Sequence, residues 1–213
     1  MQSTYSMQLS AGGLTVGSGS QVVNGDTNNP LEVTIPAAKA GTLTTRTDND
    51  TGIVTVASGH GITDTDTVDV YDADGQLLRK DMDVTAVTST TISINAGSGS
   101  NLPAQDAAVK VAKQKVIEPV FFDASGIQIF GIELKVPGAA TEGRVNFFDE
   151  GESSGGESSV GDFTLTANSG LIYHVAAGAA NPLSDDAVSI VASNSNSTLD
   201  GVLTIISMED RTP

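Results

Sequence analysis

The stretch from 41 to 109 limits the possible folds more than any other part of this chain. Short runs of Val, Ile, Leu and Thr alternate there with polar residues, and Gly, Asp and Asn clusters interrupt them. Successive side chains of a strand face opposite ways, so this alternation describes half-buried strands; a helix needs apolar residues at three- and four-residue spacing. Strands are predicted at 42–47, 53–58, 67–72, 76–85, 90–95 and 108–112. Asp74-Gly75 between two of these runs predicts a type I′ hairpin turn with positive φ. Within 67–72, Val68 and Val70 are expected to face inward and Asp69 outward. The nearest approach to a helix is Pro103–Val109, read as one turn or a loop leading into a strand. The spacing suits a small barrel or sandwich.

The flanking sequence has a different texture. After Val116-Ile117-Glu118-Pro119 the predicted strands are richer in Phe and Ile, at 120–122, 127–136, 143–148, 163–166, 171–175, 187–192 and 202–208. That is the pattern of an antiparallel β-sandwich, jelly-roll or immunoglobulin-like. A further strand at 31–35, bounded by Pro30 and Pro36, has no place in the module and is assigned to the sandwich. The expected architecture is all-β. An extended N-terminal arm covers 1–30, a sandwich is formed by 31–37 and 117–213, and a small β-barrel over 38–116 is inserted into it. A simple tandem of two domains is the alternative. Two polar stretches, 15–29 and 149–161, are expected to be mobile, the second as an exposed acidic loop.

Charge excludes one class of partner. With 10 basic and 26 acidic side chains the net charge is −16, so binding nucleic acid by neutralising phosphates is not expected. Lys110, Lys113 and Lys115 are the only concentrated basic stretch, read as a solvated strand or linker. The chain has no cysteine, which removes disulfides, thiolate metal sites and thiol catalysis. The segment MQSTYSMQLSAGG has neither a basic n-region nor an apolar h-region, and no apolar run approaches the ~20 residues of a membrane span. A soluble protein made in a cytoplasm, without membrane association, is expected.

Residues suited to chemistry are sparse. The two histidines are His60, in the turn Ser58-Gly59-His60-Gly61, and His174, in the apolar run Leu171–Val175. Neither has a metal ligand at the usual spacing. The acidic run from Asp64 to Asp74 invites a calcium reading. In an EF-hand register, however, position 1 falls on Val70, which has no side-chain oxygen, and an alternating strand ending in a turn explains the run better. No nucleophile elbow, phosphate loop or dinucleotide fingerprint occurs. No catalytic, cofactor-binding or metal-ligating residues are assigned, and no cofactor and no enzymatic activity are expected.

Three segments of the module carry a likeness: Ala40–Arg46 (AGTLTTR), Ser58–Thr63 (SGHGIT) and Gly97–Pro103 (GSGSNLP). Over about a third of the chain the module resembles a segment of structural proteins from tailed bacteriophages. The C-terminal part looks like a generic viral β-sandwich. The resemblance implies a virion protein made in the host cytoplasm, a capsid decoration or cement protein that binds the major capsid protein or other virion proteins. It also implies a homo-oligomer, trimer or dimer. A neck, tail or baseplate component, or a receptor- or carbohydrate-binding adhesin, is the alternative.

Overall fold

A computed structural model describes residues 2–11, 14–24, 31–121, 127–135, 142–149, 158–166, 169–174 and 187–209. The described residues contain strands and no helix. In chain order the strands are β1 (Gln2–Ala11), β2 (Leu14–Asn24), β3 (Leu31–Ile35), β4 (Lys39–Arg46), β5 (Gly52–Val56), β6 (Thr67–Asp72), β7 (Leu77–Val87), β8 (Thr91–Asn95), β9 (Ser98–Gly99) and β10 (Ala108–Lys113). They continue with β11 (Lys115–Phe121), β12 (Ile127–Lys135), β13 (Glu142–Asp149), β14 (Ser158–Thr166), β15 (Ser169–His174), β16 (Ala187–Asn194) and β17 (Gly201–Glu209). All pairings are antiparallel.

Strands β6, β10, β4, β5, β8 and β7 pair in that order, and β7 pairs back onto β6 to close a six-stranded barrel; β9 extends the β7 edge. Closure removes sheet edges. The interior is filled by Leu43, Val54, Val56, Ile62, Val68, Val70, Met82, Val84, Ile92, Ile94, Leu102, Val109 and Val111. Burying each such side chain contributes about 1.5–3 kcal/mol, so the alternation that predicts the strands also fills the barrel. Pro103–Val109 is a loop with a turn that runs into β10, which begins at Ala108.

The remaining strands form two four-stranded sheets, β11-β16-β13-β14 and β15-β12-β17-β3, and a separate hairpin, β1-β2. Leu31–Ile35 pairs with β17, from Ile35 opposite Gly201 to Leu31 opposite Ile205. The chain therefore leaves one of these sheets after β3, makes the whole barrel, and enters the other at β11. Lys115 already pairs with Ala192, so a single residue, Gln114, separates the last barrel strand from the next sheet. Where an extended arm was expected, residues 2–24 pair as a hairpin from Gln2 opposite Asn24 to Ala11 opposite Leu14. The stretch 15–29 thus lies partly in β2; the rest of it, and residues 150–157 of the acidic loop, fall outside the described residues.

The Asp74-Gly75 turn is not type I′. Gly75 has a φ of 93°, but Asp74 does not share a positive φ. The Gly75 amide donates to the Asp72 carbonyl (3.1 Å) and the Asp72 amide to the Gln76 carbonyl (2.9 Å). Ala73 and Asp74 therefore form the centre of a β-turn, and Gly75 follows in the left-handed region. This is the three-residue hairpin loop with a bulge. The Asp72 carboxylate accepts the Gln76 amide (2.8 Å) and stabilises the longer loop.

Candidate functional site

Among the described residues the densest polar constellation lies where the barrel meets the β11-β16-β13-β14 sheet. It is built on β6. Val68 and Val70 enter the barrel core, and the alternate residues Asp69 and Tyr71 leave it; all four are buried. Asp69 points out of the barrel, yet it is 1% exposed. The sequence expectation of an outward Asp69 holds for the barrel and fails for solvent, because another sheet covers that face.

Arg144 of β13 sits opposite and is itself 1% exposed. Its Nε donates to Asp162 Oδ1 (2.7 Å) and its Nη2 to Asp162 Oδ2 (3.1 Å). Nη1 and Nη2 donate to the two oxygens of Asp81 (2.6 and 2.9 Å). Nη1 also donates to Asp69 Oδ1 (3.1 Å). A guanidinium has five N–H donors in a fixed fork, and here all five are used, in two bidentate pairs and one single bond. Such pairs fix orientation as well as distance. Asp69 and Asp81 belong to the barrel, whereas Arg144 and Asp162 belong to the sheet, so the guanidinium ties the two parts together.

Local structure delivers each partner. The register between β6 and β7 shifts between Val68–Met82 and Val70–Arg79, which marks a bulge at Lys80 and Asp81. Asp81 takes a φ of 55° there, a left-handed conformation that aspartate tolerates better than most residues. The Asp81 amide, freed from the ladder, donates to Asp69 Oδ1 (3.0 Å). The bulge thus aims the Asp81 carboxylate at Arg144 and gives its amide to Asp69. Gln114, the single linking residue, donates its side-chain amide to Asp69 (2.8 Å) and Asp81 (2.9 Å). Lys80 pairs with Asp162. On the far side, Ser193 of β16 donates to Asp69 Oδ2. The Ser193 proton is committed there, so the Tyr71 hydroxyl donates to Ser193 Oγ (2.6 Å). Glu142 adds another tie by accepting the Leu77 amide of β7 (3.1 Å).

The ionisations follow from these contacts. Burial pushes the Asp69 carboxyl above its ordinary range, against the pull of Arg144, Ser193, the Asp81 amide and Gln114. Burial acts the same way on Asp162, but hydrogen bonds from Arg144 and Lys80 outweigh it and hold that carboxyl below the usual range. Burial works against the Arg144 charge, yet Asp162, Asp81 and Asp69 together bind its proton more tightly than in a free arginine. Burial, with the Asp69 charge beside it, raises the Tyr71 hydroxyl well above its ordinary value.

The residues singled out in the sequence do not assemble into one site. Of the acidic run, Asp66 accepts the Thr63 amide (2.7 Å) and pairs with Lys113 (2.8 Å), Asp69 joins the junction, Asp72 caps its turn, and Asp64 and Asp74 are exposed. Among the described residues no group of three His, Cys, Asp or Glu converges to hold a metal. His60 is a structural residue of the barrel: Nδ1 accepts the Ile62 amide (3.1 Å), which leaves Nε2–H to donate to the Thr88 carbonyl (2.9 Å). His174 lies in β15 opposite Ile129, on a different sheet. Sequence reasoning missed Arg144, Asp81, Asp162, Tyr71, Gln114 and Ser193.

The three segments that carry the sequence resemblance are likewise structural in the barrel. Ala40–Arg46 lies in β4, Ile62 and Leu102 close the core, and Arg46 Nε donates to the Leu102 carbonyl (3.2 Å). The chain matches no protein-family model and no curated protein sequence.

Proposed function

We propose that this chain is a non-enzymatic structural protein of a tailed-bacteriophage virion, a decoration or cement protein that binds the major capsid protein on the assembled head. The two four-stranded sheets are read as the leaves of a β-sandwich, and the barrel as a domain inserted between β3 and β11. Pairing of β3 with β17 favours that division.

One observation supports the reading most. Among the described residues the most concentrated set of charged side chains is used up in fastening the barrel to a neighbouring sheet, with every Arg144 donor satisfied internally. A group so saturated is poorly placed to bind or transform a small substrate and well placed to fix the direction in which a module projects. The likeness of the module to phage structural segments points the same way. Mechanistically, a protein that binds only the assembled lattice stabilises it by mass action, and many symmetric copies make weak contacts sufficient.

The test is to locate the chain in particles by mass spectrometry and electron microscopy. Copy numbers on the order of hundreds over the head are expected. About six or twelve copies at one vertex would instead assign it to the neck or tail, and absence from purified virions would remove the virion reading altogether.

A further inference from the structure

We propose that two copies of this chain associate through the β1 edge of the β1-β2 hairpin, joining antiparallel into one four-stranded sheet. The hairpin is its own sheet: among the described residues no other strand pairs with it. An isolated two-stranded hairpin is marginal in water, whereas three or more strands sharing an apolar face are stable.

The sequence of β1 leaves that edge open. Natural edge strands are guarded by charge, proline, or bulges. Residues 2–24 contain no Asp, Glu, Lys, Arg or Pro, and 1–25 is the longest run without a charged side chain in a chain of net charge −16. The register is interrupted only between Leu9 and Ser10, next to the turn, so Gln2–Leu9 is a regular strand. Two such acidic proteins repel one another over most of their surfaces, and the neutral hairpin is the longest place where they can meet without that cost. This points to a second copy as the occupant.

Alternation in β1 supports the same geometry. Tyr5, Met7 and Leu9 occupy positions on one face, Thr4, Ser6 and Gln8 positions on the other. The register sets Met7 opposite Gly19 and Leu9 opposite Gly17. A two-fold axis perpendicular to the sheet brings β1 against its copy with both apolar rows on the same side. The interface is then isologous and closes as a dimer.

Sedimentation of the full chain tests this. The wild type is expected at twice the monomer mass. Thr4→Lys, Ser6→Lys and Gln8→Lys together place like charges across the two-fold and should yield a monomer that stays folded, losing at most the hairpin's share of the far-UV circular dichroism signal. Ser18→Lys with Ser20→Lys puts charge on the same face of β2, away from the pairing edge, and should remain dimeric. Because the chain has no cysteine, single cysteines placed in turn at Thr4, Ser6 and Gln8 give a direct readout, and at least one should form an inter-chain disulfide on mild oxidation. A monomeric wild type, a dimeric β1 triple variant, or no cross-link from any of the three cysteines overturns the inference. It does not depend on the virion assignment: a dimer absent from virions would keep this inference and remove that one.

Discussion

Arg144→Met isolates the junction. Methionine fills much of the same space without donors, so the change removes one positive charge and five hydrogen bonds. Hydrogen bonds to charged groups contribute about 1.5–3 kcal/mol each, but the sum overstates the loss. The Asp81 and Asp162 side chains are 40% and 21% exposed and rehydrate once released. Asp69, at 1%, does not. The penalty therefore concentrates on one buried carboxylate without its counter-charge, and the predicted destabilisation is about 3–5 kcal/mol. For a chain of this size that lowers Tm by about 6–20 °C.

Urea unfolding followed by far-UV circular dichroism measures the loss. The chain has no tryptophan and three tyrosines, so the near-ultraviolet signal of buried Tyr71 offers a second probe at the junction. Two companions sharpen the test. Adding Asp69→Asn to Arg144→Met removes the orphaned charge and should recover about 1–2 kcal/mol. Acidification should narrow the gap between Arg144→Met and wild type. Without Arg144, burial is left with weaker opposition at Asp69, and its folded pKa lies further above the unfolded value near 3.8. A raised folded pKa means a contribution fully present below the unfolded pKa and lost as pH rises through the folded one. A loss under about 1 kcal/mol, the level of an exposed ion pair, would refute the reasoning, as would the absence of recovery in the double variant.

Asp162 has a depressed folded pKa, so the stability gap between wild type and Asp162→Asn should be full above about pH 3.8 and likewise close as pH falls through the lower folded value; a gap unchanged in acid would contradict the Arg144–Asp162 pairing. Tyr71→Phe should cost about 0.5–1.5 kcal/mol in the same unfolding assay, because Ser193 keeps its bond to Asp69 and only one hydroxyl bond is lost; no change would mean that the bond is not formed. Gly41→Ala should destabilise by about 1–3 kcal/mol, since its Cβ would lie 2.4 Å from the Thr55 carbonyl oxygen. Gly59→Ala, with a φ of +77° but nothing within 4 Å, should lose about 1–2 kcal/mol from its backbone alone, and a Gly41→Ala loss under about 1 kcal/mol would contradict the close approach of β4 to β5.

The barrel was legible because its information is local. Val68, Val70, Ile92 and Ile94 alternate with polar neighbours, and each buried residue announces its strand without reference to a distant partner. The two-residue β9 had no such signal; Gly97-Ser98-Gly99-Ser100 reads as a turn because it has no apolar residue. The junction was illegible for a related reason. Asp69 and Arg144 are separated by 75 residues, and an aspartate facing out of a barrel looks the same whether water or another sheet lies beyond it. A faint signal did exist in Val68-Asp69-Val70-Tyr71, where Asp69 shares its outer face with an aromatic residue. Arg144 stood next to Val145 and Phe147 in an apolar strand, in a chain with only 10 basic residues. An arginine there has few reasons to be buried other than a carboxylate waiting across an interface. The type I′ turn failed on a finer point: Gly75 supplies the left-handed residue, but Asp72 captures the Gln76 amide and favours the longer loop.

The chemistry chosen for the junction bears on what it is for. An ion pair buried this deeply is a poor source of stability, since desolvating the charges offsets most of their attraction, and apolar residues of similar volume often do as well or better. Apolar contact, however, is non-directional, and two smooth surfaces can slide or rotate with little penalty. Here the planar Arg144 fork is held along two of its edges by Asp81 and Asp162, and the Asp81 carboxylate is aimed by a left-handed bulge that costs about 1–3 kcal/mol to maintain. Gln114 sits at one of the two chain crossings and donates its side-chain amide to Asp69 and Asp81, so the linker is not free to swivel. Strain, desolvation and a saturated fork are together hard to explain as stabilisers. They are what is needed if the direction of the barrel relative to the adjoining sheet matters, as the proposed lattice-binding role requires.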